Sequence, residues 1–248
     1  MKTKIAMVGY HNTLPFSYGL AQFENQFQTI LDVPSKCMEY FNSGEVDIAL
    51  VPIANLIFRD DFDIITDYCI GCNGAVGTVC VFANLPIEKT NKIYLDKDSR
   101  TSQLLTKLLV AQYWKIDVEY EEIDVNTLNA KKLPANTAVL MIGDKVFGKS
   151  NTFNFSYDLG EEWNNFTGLP FVFAVWIARK NLDSKIADLL NEVLKIGTEN
   201  INDVVSEYNK KIKNIDLKEY FNHYIDYKYD DAKKRAFQLY CKNNKVNV

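Results

Sequence analysis

Histidine is scarce in this chain: 248 residues contain two, His11 and His223. Imidazole-based zinc sites therefore have few candidate ligands. Basic excess is missing too, since 28 Lys and Arg stand against 32 Asp and Glu for a net charge of -4. No basic face for a nucleic acid is expected from that balance. The densest basic stretch, Lys233-Lys234-Arg235 with Lys242 and Lys245, reads as a solvated helix face and tail. Long apolar runs are lacking as well. None approaches the roughly 18 residues of a spanning helix, so no membrane partner is expected. The run Ile5–Val8 near the N-terminus is too short for a secretion signal, and polar His11-Asn12-Thr13 follows at once. The expected location is the cytoplasm. There is no G-x-G-x-x-G fingerprint, no P-loop, no G-x-S-x-G elbow and no H-E-x-x-H.

Cysteines number five: Cys37, Cys69, Cys72, Cys80 and Cys241. An odd count with apolar neighbours around Cys80 fits reduced thiols in a reducing compartment. Cys69 and Cys72 form one C-x-x-C, but a zinc site would need a second pair of ligands. These two cysteines are expected in a tight turn, and no metal site is expected.

What the chain does hold is a 47% hydrophobic composition and alternating strand and helix patterns. Ile5–Val8, Val46–Val51, Ile64-Ile65, Val76–Phe82, Lys92–Leu95, Val118–Ile123, Ala138–Ile142 and Phe171–Ala178 read as strands. Phe16–Leu31 reads as helix in large part. Pro34 or Ser35 opens a helix that Gly44 closes, and the residues after Ser99 form another. Trp163 falls in a helix begun near Asp158, and Ser184 to Cys241 reads as several helices. Such alternation predicts a largely parallel sheet covered by helices. Ligands of such sheets sit beyond the carboxyl ends of the strands. The polar clusters of this sequence fall there: His11-Asn12-Thr13, Pro52 to Asn55, Ser99 to Ser102, and Gly143-Asp144.

The turn Ser99-Arg100-Thr101-Ser102 combines two hydroxyls with a helix N-terminus. Free N–H groups and the helix dipole there suit a carboxylate or phosphate. An ordinary N-cap with Arg100 in solvent accounts for the same residues. Asn12 can donate and accept at once, or simply turn the chain. Thr78, after Gly74 and Gly77, lies on an apolar strand where a Thr is also an ordinary β-former. Asp144 could orient a hydroxyl, act as acid or base, or cap a helix. Asp158, Glu161 and Glu162 place negative charge at a helix start.

Together these blocks resemble a known family. Val8-Gly9-Tyr10-His11-Asn12-Thr13-Leu14-Pro15-Phe16 is similar to the opening of the chorismate dehydratases of the futalosine route to menaquinone. Asp32-Val33-Pro34-Ser35, Ser43 through Pro52, Tyr94-Leu95-Asp96 with Ser99 to Ser102, and Ile142-Gly143-Asp144 continue the likeness. Asp158-Leu159-Gly160 with Trp163, and Thr167 through Trp176, complete it. The resemblance implies an α/β, two-lobed periplasmic-binding-protein-like (type II) fold with a cleft between the lobes. Residues 1–86 and 172–248 would form one lobe and 87–171 the other, with crossings near Pro86 and Phe171. It implies loss of water from chorismate to give 3-[(1-carboxyvinyl)oxy]benzoate, a reaction whose aromatic product makes a cofactor unnecessary. Asn12 and Thr78 would be catalytic, and Thr101 and Ser102 would hold a carboxylate. Ser35, Gly143 and Asp144 would complete the substrate site. At Thr78 the family pattern has a small hydroxyl residue, often Ser. Two other readings stay open: the sister enzyme that forms dihydroxynaphthoate, and a non-catalytic binding protein for an aromatic or dicarboxylic ligand.

Overall fold

A computed structural model describes residues 2–129, 133–147, 152–209, 212 and 215–246. Its strands are β1 (Thr3–Val8), β2 (Phe27–Asp32), β3 (Ile48–Pro52), β4 (Phe62–Cys72), β5 (Val79–Ala83) and β6 (Lys92–Asp96). They continue as β7 (Glu119–Ile123), β8 (Thr137–Ile142), β9 (Phe155–Asp158), β10 (Phe171–Arg179) and β11 (Asp226–Lys228). The helices are α1 (Leu14–Ala21), α2 (Pro34–Ser43), α3 (Arg100–Leu109), α4 (Leu159–Thr167), α5 (Ser184–Glu199), α6 (Ile201–Tyr208), α7 (Leu217–Glu219) and α8 (Asp231–Val246).

The strands form two sheets. One runs β11-β4-β10-β3-β1-β2 and the other β7-β6-β8-β5-β9. Both are mixed, not largely parallel. β1 lies parallel to β2 and β3, but β10 is antiparallel to β3 and β4. In the second sheet β6 is parallel to β7 and β8, whereas β5 is antiparallel to β8 and β9. The antiparallel pairings involve the strands on either side of the two passages between sheets, β4 and β10 in the first and β5 and β9 in the second. The crossing expected near Pro86 lies earlier, between Cys72 and Val79, because Val79–Ala83 already pairs inside the second sheet. The return falls between Asp158 and Phe171.

Burial explains which strands form the centres. β3 and β8, each flanked on both sides, read as continuous apolar runs, Ile-Ala-Leu-Val and Ala-Val-Leu-Met-Ile. The edge strand β7 carries Glu119, Glu121 and Glu122, charges that also discourage pairing with another chain. β2 was expected to be helix. Helix α1 stops at Ala21, and Phe27–Asp32 pairs with β1 residue by residue. Its apolar positions are only partly covered at this edge, so its alternation is blurred. The C-x-x-C is the end of β4 rather than a turn. β9 and β11 are short edge strands without an apolar signature.

The C-terminal part packs back on the first sheet. α5 lies against α1, where Gly19 and Gly197 let the backbones meet; a Cβ on Gly197 would sit 1.7 Å from the Pro15 carbonyl. α8 covers β10 and touches α3 of the second sheet. The expected helical stretch from Ser184 onward is broken by β11, and its residues 210–211 and 213–214 lie outside the described ones. The core is rich in aromatic residues: Phe16 meets Trp176 edge-on at 5.6 Å, and both are fully buried. Each such side chain contributes about 1.5–3 kcal/mol through burial alone.

Candidate functional site

The carboxyl ends of β1, β3, β6 and β8 converge between the two sheets. A cavity opens there, with about 640 Å³ of empty space, its mouth included. From the first sheet it is walled by Val8, Tyr10, Asn12, Pro34, Pro52, Ile70, Phe173 and Ala174. The second sheet supplies Val79, Asp98, Ser99, Thr101, Ser102, Ile142 and Gly143, and the first crossing supplies Val76 and Thr78. Apolar walls with a few placed polar groups are the usual lining of a small-molecule site.

Ser99 caps α3 by accepting from the Ser102 N–H at 3.2 Å. Its own hydroxyl donates to Ser102 Oγ at 2.8 Å. With its oxygen thus engaged, the Ser102 hydroxyl has its proton left to give to the cavity. Thr101 is placed the same way, because its Oγ1 accepts from the Ala54 N–H, 3.2 Å away on the first sheet's side. Both residues are almost wholly buried. The N-cap reading and the cradle reading therefore fall on different residues of one turn: Ser99 caps, while Thr101 and Ser102 face the cavity.

Asn12 lies in the single turn that follows β1 (His11–Thr13), fastened by the Thr13 hydroxyl, which donates to the Val8 carbonyl at 2.7 Å. The Asn12 carbonyl accepts from the Tyr227 hydroxyl at 2.9 Å. Its side-chain Oδ1 is buried and has no partner among the described residues. A buried acceptor left unpaired costs about 1–3 kcal/mol, so an acceptor at a cavity wall is best explained by a ligand donor. Thr78 precedes β5 rather than lying within it. Its carbonyl accepts from the Gly143 N–H at 2.7 Å, and its hydroxyl lies 3.1 Å from that of Tyr220. Gly143 adopts φ +64°, a conformation open to glycine, as β8 turns away beneath Tyr10.

Two expected residues lie elsewhere. Ser35 sits in the first turn of α2, exposed, outside the cavity lining. Pro34, its neighbour, holds the wall instead. Asp144 is turned away and lies 2.8 Å from His11 Nδ1, joining the ends of β1 and β8 across the cleft. Burial raises the Asp144 carboxyl, and the facing imidazole pulls it partly back. Lys145 is half-buried against Asp96, at 2.8 Å, and Asp98, at 2.6 Å. Burial pulls its ammonium down, but the hydrogen bonds to the two carboxylates outweigh that and raise it. No Lys, Arg or His is among the lining residues, so an anion there would be held by hydroxyls, amides and the α3 terminus.

Asp158 has a larger role than capping α4. Its carboxylate accepts from Gly160 at 2.9 Å and, across the crossing, from Gly77 at 2.7 Å and Val76 at 3.0 Å. Burial raises its pKa while these N–H groups lower it. Residues missed from the sequence are Tyr10, a cavity wall, and three tyrosines of the C-terminal part, Tyr220, Tyr227 and Tyr240. Tyr10 stands in the block that resembles the family's opening but no role was expected of it, and nothing local singles out Tyr220, Tyr227 and Tyr240.

All five thiols are free. Burial pushes the Cys37 thiol up to about 11 and those of Cys69, Cys72 and Cys80 higher still. Such thiols are poor nucleophiles. Among the described residues no three of His, Cys, Asp and Glu are grouped to hold a metal, and no helix is long and apolar enough to cross a membrane.

A family model described as menaquinone biosynthesis matches residues 3–244. A curated chorismate dehydratase of Thermus thermophilus is 28% identical over 193 residues, which cover 69% of this chain and 68% of that protein. Among solved structures, a protein of Archaeoglobus fulgidus aligns with a TM-score of 0.75 at 15% identity, covering 99% of this chain and 97% of that one. A Candida albicans protein described as having the generic periplasmic binding protein fold gives 0.62 at 11% identity, covering 99% and 90%. The periplasmic aliphatic sulphonate binding protein of Escherichia coli gives 0.59 at 15%, covering 98% and 83%. The fold is thus that of the periplasmic binding proteins: α/β, in two lobes, with a cleft between them.

Proposed function

The chain belongs to the menaquinone-biosynthesis family, and from that premise we propose that it is a chorismate dehydratase, a carbon–oxygen lyase of the futalosine route. The observation that carries the reading is the pairing of two walls. Thr101, Ser102 and the α3 terminus offer hydrogen-bond donors on one side, and Asn12 and Thr78 offer a free amide oxygen and a hydroxyl on the other. The name of the Thermus thermophilus relative supports the same substrate.

Chorismate carries two carboxylates, a hydroxyl at C4 and a hydrogen at C3. Removing the C3 proton sends its electron pair into the C3–C4 bond. The C4–O bond breaks, hydroxide leaves, and the ring becomes the benzoate of 3-[(1-carboxyvinyl)oxy]benzoate. The proton and the hydroxide together make the water released. One carboxylate is held by Thr101, Ser102 and the α3 N-terminus, whose dipole favours negative charge. Asn12 Oδ1 accepts from the substrate hydroxyl, and Thr78 donates toward the oxygen as it leaves. No lining residue is a free base. Asp98 is paired with Lys145, so the substrate's own enolpyruvyl carboxylate takes the proton. The site then acts through orientation and fixed dipoles.

Incubating the purified protein with chorismate, and following products by chromatography and mass, tests this directly. An aromatic product lighter by one water, with the enolpyruvyl ether intact, is expected. Unchanged chorismate from folded protein would overturn the proposal.

A further inference from the structure

The C-terminal part reaches under the cavity with three buried tyrosines, and each meets a different wall residue. The Tyr240 hydroxyl donates to the Thr101 carbonyl at 3.1 Å, and that of Tyr227 donates to the Asn12 carbonyl at 2.9 Å. Both of these anchor backbone. Tyr220 differs, because its hydroxyl lies 3.1 Å from Thr78 Oγ1, a functional side chain. We propose that Tyr220 is a positioning residue of the site: it donates to Thr78 Oγ1 and so commits the Thr78 proton to the cavity. The proposal rests on the role given to Thr78 above.

The direction of the bond follows from acidity. A phenol, with a pKa of about 10, is a far stronger acid than an aliphatic alcohol, so it is the better donor and the alcohol oxygen the better acceptor. Burial raises the phenol further, which keeps it protonated and donating. Among the described residues the Tyr220 hydroxyl has no second partner. A lone threonine hydroxyl rotates among staggered positions; with its oxygen accepting from below, its proton has the cavity side left. The bond also has rigid ends. Tyr220 opens a wide helical turn (Tyr220–Tyr224) and meets Phe147 edge-on at 5.7 Å. Gly77 holds φ +74° against the Tyr224 ring, which a Cβ would approach to 2.9 Å. The crossing that carries Thr78 and the turn that carries Tyr220 are therefore fitted to each other. Orienting one donor in advance is the part of catalysis that fixed dipoles supply.

A double-mutant cycle on chorismate turnover tests the assignment, with Tyr220→Phe, Thr78→Val and their combination. Removing one hydroxyl while keeping the ring should lower kcat about tenfold, with KM within about twofold. Thr78→Val should cost more, about a hundredfold, and adding Tyr220→Phe to it should change nothing further. In Thr78→Ser, which keeps the acceptor, the tenfold effect of Tyr220→Phe should return. Tyr227→Phe serves as control: its effect, exerted through the Asn12 backbone, should persist unchanged in the Thr78→Val background. Equal effects of Tyr220→Phe with and without the Thr78 hydroxyl, or wild-type kcat in Tyr220→Phe, would overturn the role. If wild-type protein binds chorismate without turning it over, the dehydratase reading fails alone, and the cycle is read on affinity by calorimetry. Coupling of the two residues there sustains the positioning role, and its absence, or absence of binding, removes it.

Discussion

Hydroxyl groups supply much of the polar lining of this cleft, and each is set by a neighbour. Ser99 takes the Ser102 N–H and gives its own proton to Ser102, so Ser102 is left with a proton aimed at the cavity. This relay depends on one oxygen. Ser102→Ala should therefore weaken substrate binding, raising KM about tenfold while kcat moves little, since a carboxylate is held in ground and transition states alike. Asn12→Ala should show the opposite split, with kcat lowered at least tenfold, because in the proposed reaction its unpaired oxygen accepts from the hydroxyl that departs. Steady-state kinetics of the two variants on chorismate check both. Full turnover in Asn12→Ala would remove Asn12 from the chemistry. Asn12, Thr101 and Ser102 were legible in the sequence because polar side chains after strands stand out, whereas Thr78, an ordinary β-former by its surroundings, was marked only by the family resemblance. Ser35 and Asp144 stand at strand and helix ends too, but a helix turn and a partner imidazole point them elsewhere.

Helix α8 shows how an element far along the chain supports the cleft. Its Tyr240 is wholly buried and ties to the Thr101 carbonyl at 3.1 Å, at the head of α3. Burial raises this phenol well above its ordinary value. In the unfolded chain a tyrosine ionises near pH 10, so above that the native state holds more protons than the unfolded one. The stability contributed by the buried phenol is fully present below about pH 10 and is lost as pH rises toward the folded value. Tyr240→Phe should thus cost about 1 kcal/mol at neutral pH, from the lost hydrogen bond. Its disadvantage should shrink by about 1.4 kcal/mol per pH unit above 10, and close near pH 11. Urea unfolding of both proteins at pH 7, 9, 10 and 11 measures this; parallel curves would show that the phenol ionises in the native state. At this scale the central strands were legible, since burial on both faces leaves unbroken apolar runs in β3, β8 and β10. The edges were not. β2 read as helix, and β9 and β11 left no mark, because a short strand with one open side needs few apolar residues.

The molecule as a whole is two sheets joined by two crossings, with the cavity at their meeting. Asp158 pins the first crossing by accepting from Val76 and Gly77, and His11 meets Asp144 from the opposite sheet at 2.8 Å. A ligand that touches both walls should draw the lobes together. Scattering curves with and without chorismate are expected to show a smaller radius of gyration in its presence; identical curves would argue for a cleft already closed. The sequence by itself determined the α/β class, the central strands, the helix signals at Ser99 and Gly44, and the ordered polar blocks that mark the family. It could do so because those features are local: apolar runs, caps and turns are written within a few residues. Tertiary structure alone decided where the chain changes sheets, which hydroxyls face the cavity, and that Tyr220, Tyr227 and Tyr240 lie beneath it. The three tyrosine bonds join residues more than a hundred positions apart, and no short-range pattern encodes a hydrogen bond made across a core.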